Sequence, residues 1–180
     1  RGVCTLAIVY AFTGYYAELV TLYQVTALPG FDACANLDQS FSLLMGMDEY
    51  VPLDVGNCAS AAGEAYRLNG FDIVAASEPL QAARWLAWTD VINSADWILI
   101  VILLEIEVRL QLRGNLSDGI MGVTKYVKLT LYAILFVAAA YWGYAGKFLD
   151  FWDAALWLFA FIFIELNVFE WQRETSDQAS

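Results

Sequence analysis

The chain has 180 residues, of which 60% are hydrophobic and only 16% are charged, and its formal net charge is −11. Soluble domains are usually about half apolar and about a quarter charged, so this composition predicts a polytopic membrane protein. The excess of acidic residues excludes nucleic acid as a partner, because phosphates require a basic surface. The absence of histidine excludes His-based zinc, haem and Ser-His-Asp chemistry within this chain. We therefore predict no catalytic residue and no cofactor, and we leave any metal unassigned.

The first predicted element is a transmembrane helix over residues 1–26. Its apolar run is about 20 residues long, which is the length needed to cross a bilayer. It contains several tyrosines and threonines together with Glu18, and such polar groups bond to neighbouring helices in lipid. We therefore expect this helix to be surrounded by protein, and we expect Pro29 and Gly30 to follow its end.

Residues 27–94 are predicted to form an acidic, partly helical extracytoplasmic domain. Cys34 and Cys58 lie in this segment, 24 residues apart. A disulfide between them is favoured if the segment faces an oxidising compartment, and the alternative is a pair of buried thiols. The segment contains two arginines and nine acidic residues, which are Asp32, Asp38, Asp48, Glu49, Asp54, Glu64, Asp72, Glu78 and Asp90.

The end of this domain has the signature of a helix start. Ser77 can cap a helix, and Pro79 is tolerated in its first turn. The following residues include Trp85 and Trp88, which suit a helix that lies among lipid headgroups. We predict an interfacial helix over 78–93, with direct continuation into the next transmembrane helix as the alternative.

The rest of the chain completes the predicted fold class, an all-α integral membrane protein with four transmembrane helices. Long apolar runs separated by short polar turns support this prediction. The remaining elements are transmembrane helices over 95–113, 126–146 and 151–171, a cytoplasmic turn over 114–125 and a disordered cytoplasmic tail over 172–180.

Basic residues set the expected orientation. They cluster around the second connection, which the positive-inside rule places in the cytoplasm. Both termini would then be cytoplasmic and residues 27–94 extracytoplasmic, in the plasma membrane or bacterial inner membrane. Small residues four apart, Ala139 and Gly143, predict close helix packing. The basic cluster comprises Arg109, Arg113, Lys125 and Lys128.

Acidic residues inside two predicted spans are the main functional candidates. Glu105 and Glu165 each follow a tryptophan by eight residues, which is roughly 12 Å along a helix. Because these two helices would run in the same direction, both carboxylates should lie at a similar depth. Acids at membrane depth often mark ion or proton pathways. The predicted polar path comprises Glu105, Glu165, Glu18, Arg109 and Asn167.

An alternative assigns these acids to packing and assembly. Glu105 and Arg109 are four residues apart, a spacing that allows an ion pair on one helix, and Glu165 would then bond to a neighbouring helix or subunit. The leading functional hypothesis is a non-catalytic unit in ion or solute transport, either an accessory subunit or a small homo-oligomeric channel. The second is an assembly or adhesion protein whose outer domain binds a partner, and the third is a membrane enzyme without histidine chemistry. The expected partners are the lipid bilayer and other membrane subunits or further copies of the chain, and a lipid or quinone pocket between aromatic helices stays open.

Overall fold

The computed structural model describes the backbone of residues 2–61, 63–113 and 118–178, and the side chains of 5–61, 63–113 and 119–164. The chain divides into two compact units, Arg1–Ala95 and Asp96–Ser180, which we term the sheet unit and the helical unit. Helix α2 contributes to both. The helices are α1 (Gly2–Tyr23), α2 (Ser77–Leu112), α3 (Asp118–Tyr144) and α4 (Phe148–Gln178). The strands are β1 (Val25–Leu28), β2 (Ser42–Gly46), β3 (Glu49–Pro52), β4 (Ala65–Leu68) and β5 (Ile73–Ala76).

The five strands form one mixed sheet in the order β1-β4-β5-β2-β3. Strands β2 and β3 pair as an antiparallel hairpin, and so do β4 and β5. The central pairing of β2 with β5 is parallel, and it places Leu43 beside Val74 and Leu44 beside Ala75. Gly70 has a φ of 86° in the turn between β4 and β5, a conformation that glycine adopts without steric cost.

Successive side chains of a strand point to opposite faces of the sheet. Consecutive residues of β2 and β5 are buried, so both faces of the sheet are covered. On one face, Leu44 and Ala75 pack with residues of both helices that flank the sheet. On the other face, Leu43 and Val74 pack with the loops between the strands. The helical residues in the first cluster are Leu19, Leu22, Leu80, Ala83, Ala87 and Val91. The loop residues in the second cluster are Ala33, Leu53, Cys58 and Ala61.

A disulfide between Cys34 and Cys58, the pair indicated by the sequence, holds this second layer together. It joins two short 3₁₀ turns, Ala33–Asn36 and Cys58–Ala61. The carboxylate of Asp32 caps the first turn by accepting a hydrogen bond from the backbone nitrogen of Cys34, at 2.9 Å. An Asp at this position satisfies backbone donors that the turn leaves without partners.

In the helical unit, α3 and α4 form an antiparallel pair joined at Gly146, which has a φ of 80°. The two residues predicted to pack closely lie on α3. Ala139 is buried, and a Cβ atom added to Gly143 would lie 3.2 Å from Cδ2 of Phe151. The ring of a residue on α4 therefore occupies the space that glycine leaves on α3.

The prediction of an all-α protein with four transmembrane helices is wrong. The segment predicted to be partly helical contains a five-stranded sheet. Among the described residues, two helices are long and apolar enough to cross a membrane by length and composition, within Thr5–Tyr23 and Gly119–Tyr144. The predicted span over 95–113 is part of the longer helix α2, and its apolar run is interrupted by Glu105, Glu107 and Arg109.

The fourth predicted span also differs from the structure. It belongs to α4, which does not qualify as a candidate span within the described residues. This helix extends to Gln178, into the segment expected to be a disordered tail. The predicted interfacial helix over 78–93 is the first half of α2, which continues without interruption to Leu112.

We expect the disulfide to contribute strongly to the stability of the sheet unit. It closes a loop of 24 residues, and a cross-link of this length stabilises a fold by about 3 kcal/mol, mainly by restricting the unfolded chain. Replacing Cys34 and Cys58 together by serine should lower the free energy of unfolding by this amount, measured by circular dichroism in denaturant. Cys4→Ser is the matched control, and equal stability of the double variant and the wild type would contradict the expectation.

Candidate functional site

The buried polar groups of the helical unit are the strongest candidates for a functional site. Asp96, on α2, is only 3% exposed. Its Oδ2 atom is buried and has no hydrogen-bond partner among the described residues. Ile100, one helical turn later, is completely buried, so the carboxylate lies next to apolar packing. A carboxylate in such a place is expensive to ionise and favours a proton, a cation or an incoming donor.

The electrostatics of Asp96 reflect this burial. Asp96 lies on α2, which is not one of the two candidate membrane spans. Because its side chain is buried, the pKa of Asp96 rises from its ordinary value of 3.8 to about 6. The carboxyl group therefore changes its charge close to physiological pH, which an exposed aspartate does not do.

A second polar group of the helical unit is the ion pair between Glu107 and Lys128. The Nζ atom of Lys128 on α3 lies 3.2 Å from Oε2 of Glu107 on α2. The two side chains are only 11% and 19% exposed, respectively. Removal of either partner would leave a largely buried charge without its counterion, which is strongly destabilising. This pair thus ties α2 to α3.

Glu105 and Arg109, both members of the predicted polar path, bond to each other. Nε of Arg109 donates a hydrogen bond to Oε1 of Glu105 at 2.9 Å, and both side chains are exposed. The i,i+4 geometry is the one that the packing hypothesis expected. An exposed pair of this kind contributes only a few tenths of a kcal/mol to helix stability.

Glu18, the third acid of the predicted path, belongs to the sheet unit. Its charge acts on Tyr50 of β3, and so does the charge of Asp48 in the hairpin turn. Burial is the largest cause of the raised pKa of Tyr50, and the two carboxylates raise it further. Within the sheet unit, the charge of Glu18 is therefore coupled to a residue of the β2–β3 hairpin.

The side chains of Glu165 and Asn167 lie outside the described residues. The part of α4 just before them does contact α2, because the rings of Trp97 and Phe161 lie 5.2 Å apart. Helices α2 and α4 are therefore in contact at this position of the helical unit. The equal depth of Glu105 and Glu165 stays a prediction.

The sequence analysis missed Asp96 as a site residue, left Glu107 outside the predicted polar path, and used Lys128 only as an orientation signal. Asp96 and Glu107 are 11 residues apart, which is close to three helical turns and places them on one stripe of α2. Asp96 stands at the start of an apolar run, where an acidic residue is typical of a helix start, and it was therefore not considered as a site residue. Searching the run for acids on a common stripe would have identified both.

The arrangement can retain a proton at Asp96 and can stabilise packing through Glu107 and Lys128. Within the described part of the chain, no group of three or more His, Cys, Asp or Glu side chains could hold a metal ion. No family model, curated protein or solved structure matches the chain.

We expect the stability of the helical unit to depend on pH through Asp96. Because its pKa of about 6 lies above the unfolded value, the native state binds more protons between the two values. The free energy of unfolding therefore falls as the pH rises through this window. A shift of about two pKa units corresponds to about 3 kcal/mol.

Asp96→Asn keeps the shape and removes the charge, so the variant should be more stable than wild type at neutral pH. Well below the unfolded pKa the two proteins should be equally stable. Thermal unfolding in mild detergent across this pH range measures both effects, with the exposed Glu105→Gln as control. Parallel pH profiles for wild type and Asp96→Asn would show that Asp96 does not cause the dependence.

The two ion pairs should differ greatly in their contribution to stability. Lys128→Met leaves the carboxylate of Glu107 buried without its partner and should destabilise the protein by about 3 kcal/mol. Arg109→Met, the matched exposed change, should lower stability by less than about 0.5 kcal/mol. Adding Glu107→Gln to Lys128→Met should restore most of the loss. Chemical unfolding of the four proteins tests this, and equal effects of the two single variants would contradict it.

Proposed function

We propose that the chain is a non-catalytic membrane protein that works as a unit of a larger membrane assembly. In this proposal the candidate spans of α1 and α3 lie in the bilayer, and α2 reaches the bilayer at Glu107, which pairs with Lys128 inside the α3 span. The sheet unit carries its disulfide-bonded layer on the extracytoplasmic side. The observation that carries the proposal is the apolar outer surface of the helices. Its partners are the lipid bilayer and either other membrane subunits or further copies of the chain.

Helix α3 illustrates this surface. One side of it is buried inside the helical unit and is formed by Leu131, Leu135, Ala138, Ala139 and Trp142. Its other side exposes large apolar and aromatic residues, namely Val123, Tyr126, Leu129, Phe136 and Val137. Monomeric soluble proteins rarely expose apolar patches of this extent. In a bilayer the same surface contacts lipid chains or the helices of a partner.

The disulfide supports the proposed location of the sheet unit. Disulfides persist in oxidising environments such as the extracellular space and the bacterial periplasm, and they are rare in the cytosol. A bond between Cys34 and Cys58 therefore favours an extracytoplasmic position. The plasma membrane or the bacterial inner membrane is the location that fits this reasoning.

The ion pairs favour assembly over a conducting path through Glu105 and Glu107. Their charges are compensated by Arg109 and Lys128, respectively. A carboxylate that already has a cationic partner at hydrogen-bond distance attracts a passing cation less strongly. These acids are therefore better suited to holding helices than to binding a transported ion.

The assembly proposal can be tested with two neighbouring residues of α3. Phe136 is exposed, whereas Leu135 is buried. Phe136→Ala should weaken association with little effect on thermal stability, because it removes contact area from the outer surface. Leu135→Ala should lower stability by about 2–5 kcal/mol, since it leaves a cavity. Native mass spectrometry in mild detergent gives the stoichiometry, and a wild-type monomer without a co-purifying subunit would refute the proposal.

Ion transport is a second candidate function, favoured by the buried carboxylate of Asp96. Its Oδ2 atom has no hydrogen-bond partner among the described residues, in contrast to the ion-paired Glu105. If it binds a transported proton or sodium ion, Asp96→Asn should reduce flux into proteoliposomes at least about tenfold, which corresponds to about 1.4 kcal/mol. Glu105→Gln should leave the flux unchanged. Wild-type flux no higher than that of empty liposomes would exclude this candidate.

A further inference from the structure

An exposed aromatic surface lies where α1 ends and α2 begins. On α2, Trp85 is 61% exposed, Trp88 43% and Ile92 47%. Residues three and four apart lie on the same face of a helix, so these three side chains form one stripe. Tyr23, the last residue of α1, is also exposed. We term these four residues the aromatic stripe.

The opposite side of this part of α2 has a different role. Leu80, Ala83 and Ala87 are buried there and pack on the sheet. In a soluble protein, the face of a helix that lies opposite its buried face is usually polar and contacts water. Here the outward face contains two tryptophans, which expose a large amount of apolar surface. The first half of α2 is therefore apolar on two sides, and only one of them is covered by the sheet.

Three contacts join this part of α2 to the end of α1. The indole Nε1 of Trp88 donates a hydrogen bond to Oη of Tyr23 at 3.2 Å. The guanidinium of Arg84 lies 4.6 Å from the centre of the Tyr23 ring, and its Nε donates to the backbone oxygen of Leu22 at 3.0 Å. The stripe is thus fixed at the level where the candidate span ends, two residues before the first strand begins at Val25.

We propose that the aromatic stripe binds the lipid headgroup region and marks the membrane border of the sheet unit. The inference rests on the proposed membrane location and adds which surface contacts lipid. Tryptophan and tyrosine are enriched at this depth, because their rings are apolar and their N–H and O–H groups are polar. The stripe continues directly from the end of the candidate span Thr5–Tyr23, which makes the bilayer the occupant that fits it.

The inference can be tested by fluorine NMR of the protein labelled with 5-fluorotryptophan in phosphatidylcholine nanodiscs. Trp85→Phe and Trp88→Phe each remove one signal and thereby assign it, while keeping an aromatic ring at the position. A lipid with a spin label near the headgroup should broaden both signals at least twofold more than a lipid labelled near its chain end. A gadolinium chelate in the water should broaden them less than the shallow lipid label does.

The outcomes separate this inference from the membrane proposal itself. Strong broadening by the aqueous chelate would show that the aromatic stripe faces water, and no broadening by any probe would show that protein covers it. Either result overturns the inference. If other tryptophans respond to the deep lipid label in such a case, the membrane location stands. If no tryptophan responds to either lipid label, the membrane proposal fails as well.

Discussion

The sheet unit depends on covering both faces of a very small sheet. Its strands are only four or five residues long, and a sheet of this size is not stable with apolar residues exposed to water. Leu43 and Leu44 are consecutive and both are buried, so each face needs a separate cover. The helices provide one cover, and the disulfide-bonded turns provide the other.

This requirement also determines what the helices can do elsewhere. The end of α1 and the first turns of α2 are held by the sheet through Leu22 and Leu80, so their remaining surfaces point away from it. In the helical unit, the buried pair of Glu107 with Lys128 is a comparable constraint on α2 and α3. Apolar packing in the sheet unit and a buried ion pair in the helical unit therefore fix helix positions, while other apolar side chains form the outer surface.

Sequence patterns identified features within one helix and the cysteine pair of the acidic segment, and they failed where strands or helices pair with each other. The apolar helices, the i,i+4 contact of Glu105 with Arg109 and the choice of Cys34 and Cys58 follow from spacing and composition. The sheet does not, because four-residue strands are too short to show a clear alternation. Its central parallel pairing joins β2 to β5 across a long stretch of chain. The pairing of Glu107 with Lys128 likewise joins two helices and leaves no local signal.

The charge of the sheet unit explains why aromatic rather than basic residues would hold it at a membrane. Lysines and arginines bind anionic lipid surfaces, with about 1 kcal/mol for each residue near the surface. In residues 27–94 the acidic residues outnumber the two arginines, and Arg67 is already paired with Asp72 at 2.7 Å. Electrostatic attraction to an anionic surface is therefore unfavourable for this unit. Indole and phenol rings do not need opposite charge in the lipid, so Trp85, Trp88 and Tyr23 can bind the interface of a neutral bilayer.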